Sequence, residues 1–266
     1  MDLATILQES KWGNLSNIPT DLSTEDYKQL GVQAYNNSLG ELTGFDCELC
    51  KNKGNVMIWH DGTEWVRDCR CMKARREYWH LEDSGLRKLV ENNSFDNFEA
   101  QELWQARIKK KAKEFCQSGF MFFIGGQSGC GKSHVCCAIV SDLLQKLQQV
   151  KFMRWREDSV KLKSLVNTDQ YEANIQPLKT AEVLYIDDFW KSKEVTAGDI
   201  NLAFELLNYR YNEGLKTIIS TELHTADILK IDEAIGGRIM EMAKGFCLNI
   251  ERQAERNYRL KGVETI

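Results

Sequence analysis

Apolar residues in this chain fall in short continuous runs, separated by longer stretches in which they recur every three or four positions. The runs are Phe120-Met-Phe-Phe-Ile124, Lys151-Phe-Met-Arg-Trp-Arg156, Val183-Leu-Tyr-Ile186 closing on Asp187-Asp188, Lys216-Thr-Ile-Ile-Ser220-Thr221 and Phe246-Cys-Leu-Asn-Ile250. Such runs, bounded by glycine or polar positions, predict strands buried on both faces. Between them, Val135, Ile139, Leu143, Leu144 and Leu147 line one side of a helix that reaches about residue 149. Val160, Leu162, Leu165 and Val166 mark a polar helical segment, and Ile200, Ala203, Phe204, Leu207 and Tyr211 share one face of a helix over about 199–213. Upstream, Leu103, Trp104, Ile108, Ala112 and Phe115 predict an amphipathic helix over 101–117. Strands alternating with helices predict an α/β fold, a parallel five-stranded sheet with helices on both faces.

The N-terminal third reads differently. Residues 1 to about 45 are polar and weakly patterned. Ser23 is placed to cap a helix with Asp26 completing a capping box, and Tyr27, Leu30 and Ala34 would share a face. Cys47-x₂-Cys50 and Cys69-x-Cys71 then flank eighteen residues that contain Val56, Ile58, Trp59, Asp61-Gly62, Trp65 and Val66. That spacing predicts a hairpin turning at Asp61-Gly62, with Cys47, Cys50, Cys69 and Cys71 holding one structural Zn²⁺. His60 and His80 are the alternative ligands. A segment this small has little core of its own, so the metal would supply much of its stability. The chain then turns basic and helical through Lys73 to Trp79 and is interrupted at Ser94-Phe-Asp-Asn-Phe98. The domain boundary is expected near residue 90: an N-terminal partner-binding region over 1–90 with its zinc unit at about 45–75, and a nucleotide domain over 91–266.

The chemistry is concentrated after the first buried run. Gly126-Gln127-Ser128-Gly129-Cys130-Gly131-Lys132-Ser133 joins a strand to a helix, the setting of a phosphate-binding loop. Its backbone N–H groups turn inward around a polyphosphate, Lys132 reaches the outer phosphates, and the Ser133 hydroxyl is a Mg²⁺ ligand. The helix that follows points the positive end of its dipole at the nucleotide. Asp187, at the end of a buried strand, is placed to hold Mg²⁺ through water, and Asp188 to polarise the attacking water.

Composition sets limits. The formal charge of −4 gives no global basic field, so a nucleic-acid contact must be a local patch. Arg154, Trp155, Arg156, Lys161 and Lys163 mix cations with an aromatic as a single-strand channel would, although Trp155 falls in an expected core strand. The absence of a membrane-length apolar run, and a start, Met-Asp-Leu-Ala-Thr, without the order of a secretion signal, predict a cytoplasmic protein with no membrane partner. Nine cysteines in such a protein point to metal or buried thiols before disulfides.

The phosphate loop, the Asp-Asp strand, the polar-ended strand, Gly236-Gly237-Arg238-Ile239 and the cysteine-paired N-terminal unit together resemble the AAA+ helicase loaders of the DnaC/DnaI/IstB-like group. The likeness runs over roughly residues 45–260 and extends to the loop with His134, to Ser94-Phe-Asp-Asn-Phe98 and to Asn257-Tyr258-Arg259-Leu260. It implies a P-loop NTPase (AAA+) sheet that binds ATP and Mg²⁺, a replicative hexameric DNA helicase and single-stranded DNA as partners, and a homo-oligomer when loaded with ATP. It also implies that Ser220 or Thr221 reads the terminal phosphate, that Arg238 is an arginine finger offered to a neighbouring subunit, and that Arg259 is a second sensor. Glu222 stands where many AAA+ chains have asparagine, and Asp188 where most have glutamate. Only 28 residues follow Arg238, too few for a full helical lid. The implied function is slow, ATP-dependent loading of a replicative helicase onto single-stranded DNA. The alternatives are a transposition helper of the IstB type, a P-loop small-molecule kinase, and a zinc adaptor whose nucleotide site is structural.

Overall fold

The computed structural model describes residues 23–83, 87–191 and 194–260. Compactness divides the chain into Met1–Arg76 and Glu77–Ile266, where the sequence had placed the boundary near residue 90.

In the first unit, α1 (Thr24–Asn37) opens on the expected capping box: Ser23 Oγ accepts from Asp26 N–H and Asp26 accepts from Ser23 N–H. Val32 is its buried residue, whereas Tyr27 stays exposed. Strands β1 (Asn55–His60) and β2 (Thr63–Asp68) pair antiparallel, with His60 opposite Thr63. Asp61 and Gly62 both adopt positive φ, 49° and 74°, the two left-handed residues that a tight primed turn requires. Helix α2 (Cys71–Asp83) follows. The side chain of His80 lies outside the described residues.

In the second unit, α3 (Arg87–Asn92) and α4 (Leu103–Gln117) precede a sheet ordered β4-β5-β6-β3-β7, with every pairing parallel. The strands are β3 (Met121–Gly126), β4 (Val150–Arg154), β5 (Val183–Asp187), β6 (Lys216–Thr221) and β7 (Cys247–Ile250). Between them run α5 (Lys132–Gln145), α6 (Trp155–Leu165), α7 (Asp169–Thr180), α8 (Ala197–Asn212), α9 (Thr225–Ile231) and α10 (Glu233–Met242). Strand β3, between β6 and β7, is buried along its whole length and its side chains alternate between faces. Met121 and Phe123 join Leu202, Leu206, Ile228, Ile235 and Ile239 in the main core, while Phe122 meets Phe115 of α4, ring centres 5.5 Å apart. Parallel strands deliver their carboxyl ends to one edge, where ligands bind in open α/β sheets; Gly126, Asp187 and Thr221 all arrive there.

Local boundaries depart from the sequence reading at two places. The expected strand over 151–156 stops at Arg154, and Trp155 and Arg156 begin α6. Asp158 accepts from the Arg154 N–H, and Glu157 and Asp158 place negative charge in the first turn, which favours a helix start there. Trp155 is nevertheless buried, in the main core. Helix α5 ends at Gln145 and does not reach residue 149. Leu147 takes a left-handed φ of 62° while its N–H reaches Leu144 O and that of Gln148 reaches Leu143 O, a closed C-terminal cap that turns the chain into β4.

Candidate functional site

The phosphate loop is built by backbone geometry. Gly131, at φ 88°, is the left-handed residue from which α5 starts, so Lys132 and Ser133 occupy its first turn. Gly129, at φ 78°, also leaves room for the C-terminal segment: a Cβ there would collide with Asn257 Oδ1. Lys132 is buried, and its Nζ donates to the carbonyls of Gly126 and Gln127, both at 2.8 Å. Cys130 Sγ donates to Gln127 O at 2.9 Å, tightening the same turn. Ser133 is exposed at the loop's mouth.

These residues face a cavity of about 450 Å³, within the range of mononucleotide pockets. Ser128, Gly129, Cys130, Gly131, Lys132, Ser133 and His134 form one wall, and Asp188, Lys191 and Glu222 belong to the same lining. Asn97 and Phe98 come from the lead-in segment, and Tyr258 and Arg259 from the C-terminal one. His134 fastens the lead-in: its Nε2 lies 3.2 Å from Ser94 O and 3.0 Å from Asn97 Oδ1, and its ring meets the Phe98 ring edge-on. With two oxygens facing it, Nε2 is the protonated nitrogen, and burial pushes the His134 pKa down, so the ring is a neutral donor.

The C-terminal segment is fastened to the phosphate loop by several bonds. Gln127 exchanges two with the Gln253 backbone, Tyr258 N–H donates to Gly129 O at 2.9 Å, and the Arg259 guanidinium donates to Ser128 Oγ at 3.1 Å. Gln105 of α4 donates to the Tyr258 hydroxyl. Arg259 is therefore inside the cavity, on the phosphate-loop side.

The Asp-Asp pair divides in two. Asp187 Oδ1 accepts from the Tyr185 hydroxyl at 2.8 Å and from Ser220 Oγ, and Asp187 is not among the cavity's lining residues. Asp188, at φ 52°, turns into the cavity. The expectation that Ser220 or Thr221 touches the terminal phosphate does not match their contacts. Both are buried; Ser220 Oγ serves Asp187, and Thr221 Oγ1 donates to Phe189 O at 2.6 Å. Glu222, the next residue, lines the cavity instead. Arg238 is away from it, on α10, donating to Asn208 Oδ1 at 3.1 Å and lying over the Phe204 ring. Neither Lys191 nor Gln105 carried a signal in the sequence, since Glu222 and Tyr258, the partners that bring them to the site, are distant in the chain.

The cysteine cluster lies wholly in the first unit. Cys47, Cys50, Cys69 and Cys71 are buried, and their sulfurs all lie within 4.8 Å of one another. Cys47 and Cys69 are 3.8 Å apart and Cys50 and Cys71 3.5 Å apart. A tetrahedral Zn–S distance of about 2.3 Å corresponds to an S···S edge of about 3.8 Å, so the thiols fit the metal. The single residue between Cys69 and Cys71 suffices because α2 begins at Cys71 itself. His60 is exposed and bonded to Asp61, outside the cluster. Arg75 fixes the arrangement: it is fully buried and donates to Thr43 O, Phe45 O and Asn52 Oδ1 at 2.6–2.7 Å, tying α2 to the loop that carries Cys47 and Cys50.

A parallel sheet carrying a glycine loop, a helix N-terminus and an aspartate pair at one edge defines a P-loop ATP-binding domain of the AAA+ class. The sequence model of the IstB-like ATP binding proteins matches residues 65–249, and the chain belongs to that family. It is 29% identical over 237 residues to the phage-like element PBSX protein XkdC of Bacillus subtilis (strain 168), an alignment covering 82% of this chain and 88% of that protein. It is 23% identical over 181 residues to the replicative helicase loader DnaC of Escherichia coli (strain K12), covering 66% and 71%. The crystal structure of the DnaC helicase loader superposes with a TM-score of 0.55 at 21% identity, covering 61% of this chain and 98% of that one, a likeness of fold.

Proposed function

We propose that this protein is an ATP-dependent loader of a hexameric replicative helicase onto single-stranded DNA. The observation that carries the nucleotide half of this reading is the single cavity in which Lys132 and Ser133 of the phosphate loop share a lining with Asp188. In it the loop amides and Lys132 hold the phosphates and Asp188 orients the attacking water, while Mg²⁺ would be held by the Ser133 hydroxyl and, through water, by Asp187, which is not itself part of the lining. Mg²⁺ held there would supply positive charge to the outer phosphates, and the chain's own groups position the rest. Hydrolysis is slow because a loader is a switch: ATP changes its grip on helicase and DNA. The N-terminal region, about residues 1–90, holds the helicase with its fold braced by one Zn²⁺ on the four cysteines, and residues 91–266 carry ATP. Subunits assemble when ATP is bound, and Arg238 serves the neighbouring site in trans.

Support for the helicase partner comes from the loader to which the chain is similar over 66% of its length. A transposition helper is the second reading, favoured by the family match itself. Affinity capture from the host's lysate with ATP and with ADP, with mass-spectrometric identification, separates them. ATP-dependent recovery of the replicative helicase supports the loader; recovery of a transposase in its place supports the helper and overturns the first.

A further inference from the structure

Among the described residues, one lysine of the nucleotide cavity has no part in the mechanism above. Lys191 stands on the loop after β5, and its ammonium lies 3.3 and 3.2 Å from the two oxygens of Asp188 and 3.1 Å from Glu222 Oε1. All three side chains line the cavity that holds Lys132 and Ser133. Burial works against the charge on Lys191, but its bonds to Glu222 and Asp188 outweigh it and hold the pKa above the ordinary lysine value.

The opposite side of the cavity already has its donors. Lys132 is bonded to the loop carbonyls and Arg259 to Ser128. On the β6 side, the hydroxyls of Ser220 and Thr221 are buried in other bonds, and the residue that reaches the cavity is an acid, Glu222. An ionised carboxylate accepts hydrogen bonds and donates none, so it repels a phosphate. Among the described residues, Lys191 is the donor on that wall. Its root is fixed, because Phe189 N–H bonds to Ser220 O and Thr221 Oγ1 to Phe189 O, and because Asp188 and Trp190 are held at φ 52° and 53°, left-handed conformations that non-glycine residues take only when the surroundings impose them. Its head is a third exposed, on a flexible four-carbon stem.

We propose that Lys191 distinguishes nucleoside triphosphate from diphosphate in this cavity: the terminal phosphate draws the ammonium away from Glu222 and Asp188, and Asp188 is released towards the attacking water. This rests on the reading of the cavity as an ATP site. Two carboxylates and one phosphate compete for a single ammonium, so each carboxylate weakens the triphosphate complex by what it must give up.

The test is equilibrium binding of a non-hydrolysable ATP analogue and of ADP, with Mg²⁺, to the full chain. Lys191→Met is expected to weaken the triphosphate roughly ten- to hundredfold, the worth of a charge-assisted hydrogen bond, with ADP affinity near wild type. Lys191→Arg should keep most of the discrimination. Glu222→Gln, which removes a competitor with little change of shape, should tighten triphosphate binding, and that gain should vanish in the Lys191→Met/Glu222→Gln double variant. An ion pair that merely braces the wall would cost both nucleotides alike, and a gain from Glu222→Gln that survives without Lys191 would be simple relief of repulsion; either result overturns the assignment. If the wild-type chain binds neither nucleotide, the ATP reading falls and takes this assignment with it.

Discussion

Lys132 has two sets of oxygens within reach of one ammonium: the carbonyls of Gly126 and Gln127, which it contacts at 2.8 Å, and the outer phosphates of a bound nucleotide. Removing it leaves the loop amides intact. Lys132→Ala is therefore expected to abolish hydrolysis and most ATP affinity while thermal unfolding stays near wild type; wild-type turnover would remove the loop from the mechanism. Arg210 is the contrasting residue, buried with no carboxylate partner among the described residues. Its guanidinium donates to Thr217 Oγ1 and to the carbonyls of Leu178, Lys179, Ala181 and Lys216, bracing the end of α7 against β6. Burial pushes its pKa down to about 9, which still leaves it charged at neutral pH. Arg210→Met fills similar volume but strands those oxygens, and should cost on the order of 3 kcal/mol, read as a fall in urea midpoint with nucleotide affinity retained in the folded fraction. The phosphate loop was legible because its chemistry is local, eight consecutive residues between a strand and a helix. Arg210, Arg75 and Lys191 were not, because each, besides any nearer partner, acts on oxygens some thirty residues away in sequence, a separation that only the folded chain closes.

At the scale of elements, the strands were legible and several helices were not. Continuous apolar runs mark β3, β5 and β6 because both faces are buried. Helix α7 contains Pro177 and buries Ile175 alone, so it has little apolar stripe to find. Helix α10 contains Gly236 and Gly237, poor helix formers; Gly236 is there because a Cβ would press on Leu229 of α9, at 2.8–3.0 Å. The capping box at Ser23 and the Asp61-Gly62 turn were read correctly since each is specified within four residues. The cysteine cluster joins local spacing to long-range closure, and its prediction belongs here. With hairpin β2 exposed on all six residues, the unit has little apolar burial to hold it without metal. Elemental analysis should find about one zinc per chain. Chelation, or Cys50→Ser, should unfold the unit and disturb partner binding while leaving nucleotide binding largely intact. Metal-free protein whose N-terminal amides remain protected from exchange would end the idea.

At the scale of the whole molecule, the proposal for Arg238 depends on what one subunit lacks. The residue is remote from its own cavity, on α10, with its Nε bonded to Asn208 and one terminal nitrogen to Ala234 O, and its plane lies over Phe204 at 4.7 Å. Those contacts use two of the five N–H donors and hold the guanidinium in one orientation, so presenting its outer edge to a neighbour loses little further entropy. A finger of this kind stabilises the charge that spreads over the transferring phosphoryl oxygens and is worth roughly 10³-fold or more in turnover. One subunit would then hydrolyse poorly, and assembly would complete the site. Arg238→Ala should keep ATP affinity near normal yet lose the part of the rate that rises with protein concentration, and Arg238→Lys should not restore it, since a point charge does not reproduce the planar fork. Mixing Arg238→Ala with Lys132→Ala sharpens the test. In a mixed assembly, an intact phosphate loop on the Arg238→Ala subunit can meet an intact arginine from the Lys132→Ala subunit, so hydrolysis should reappear. Two variants that co-assemble by light scattering and remain inactive together would count against a shared site, and Arg238 would then be a residue that packs α10 onto α8.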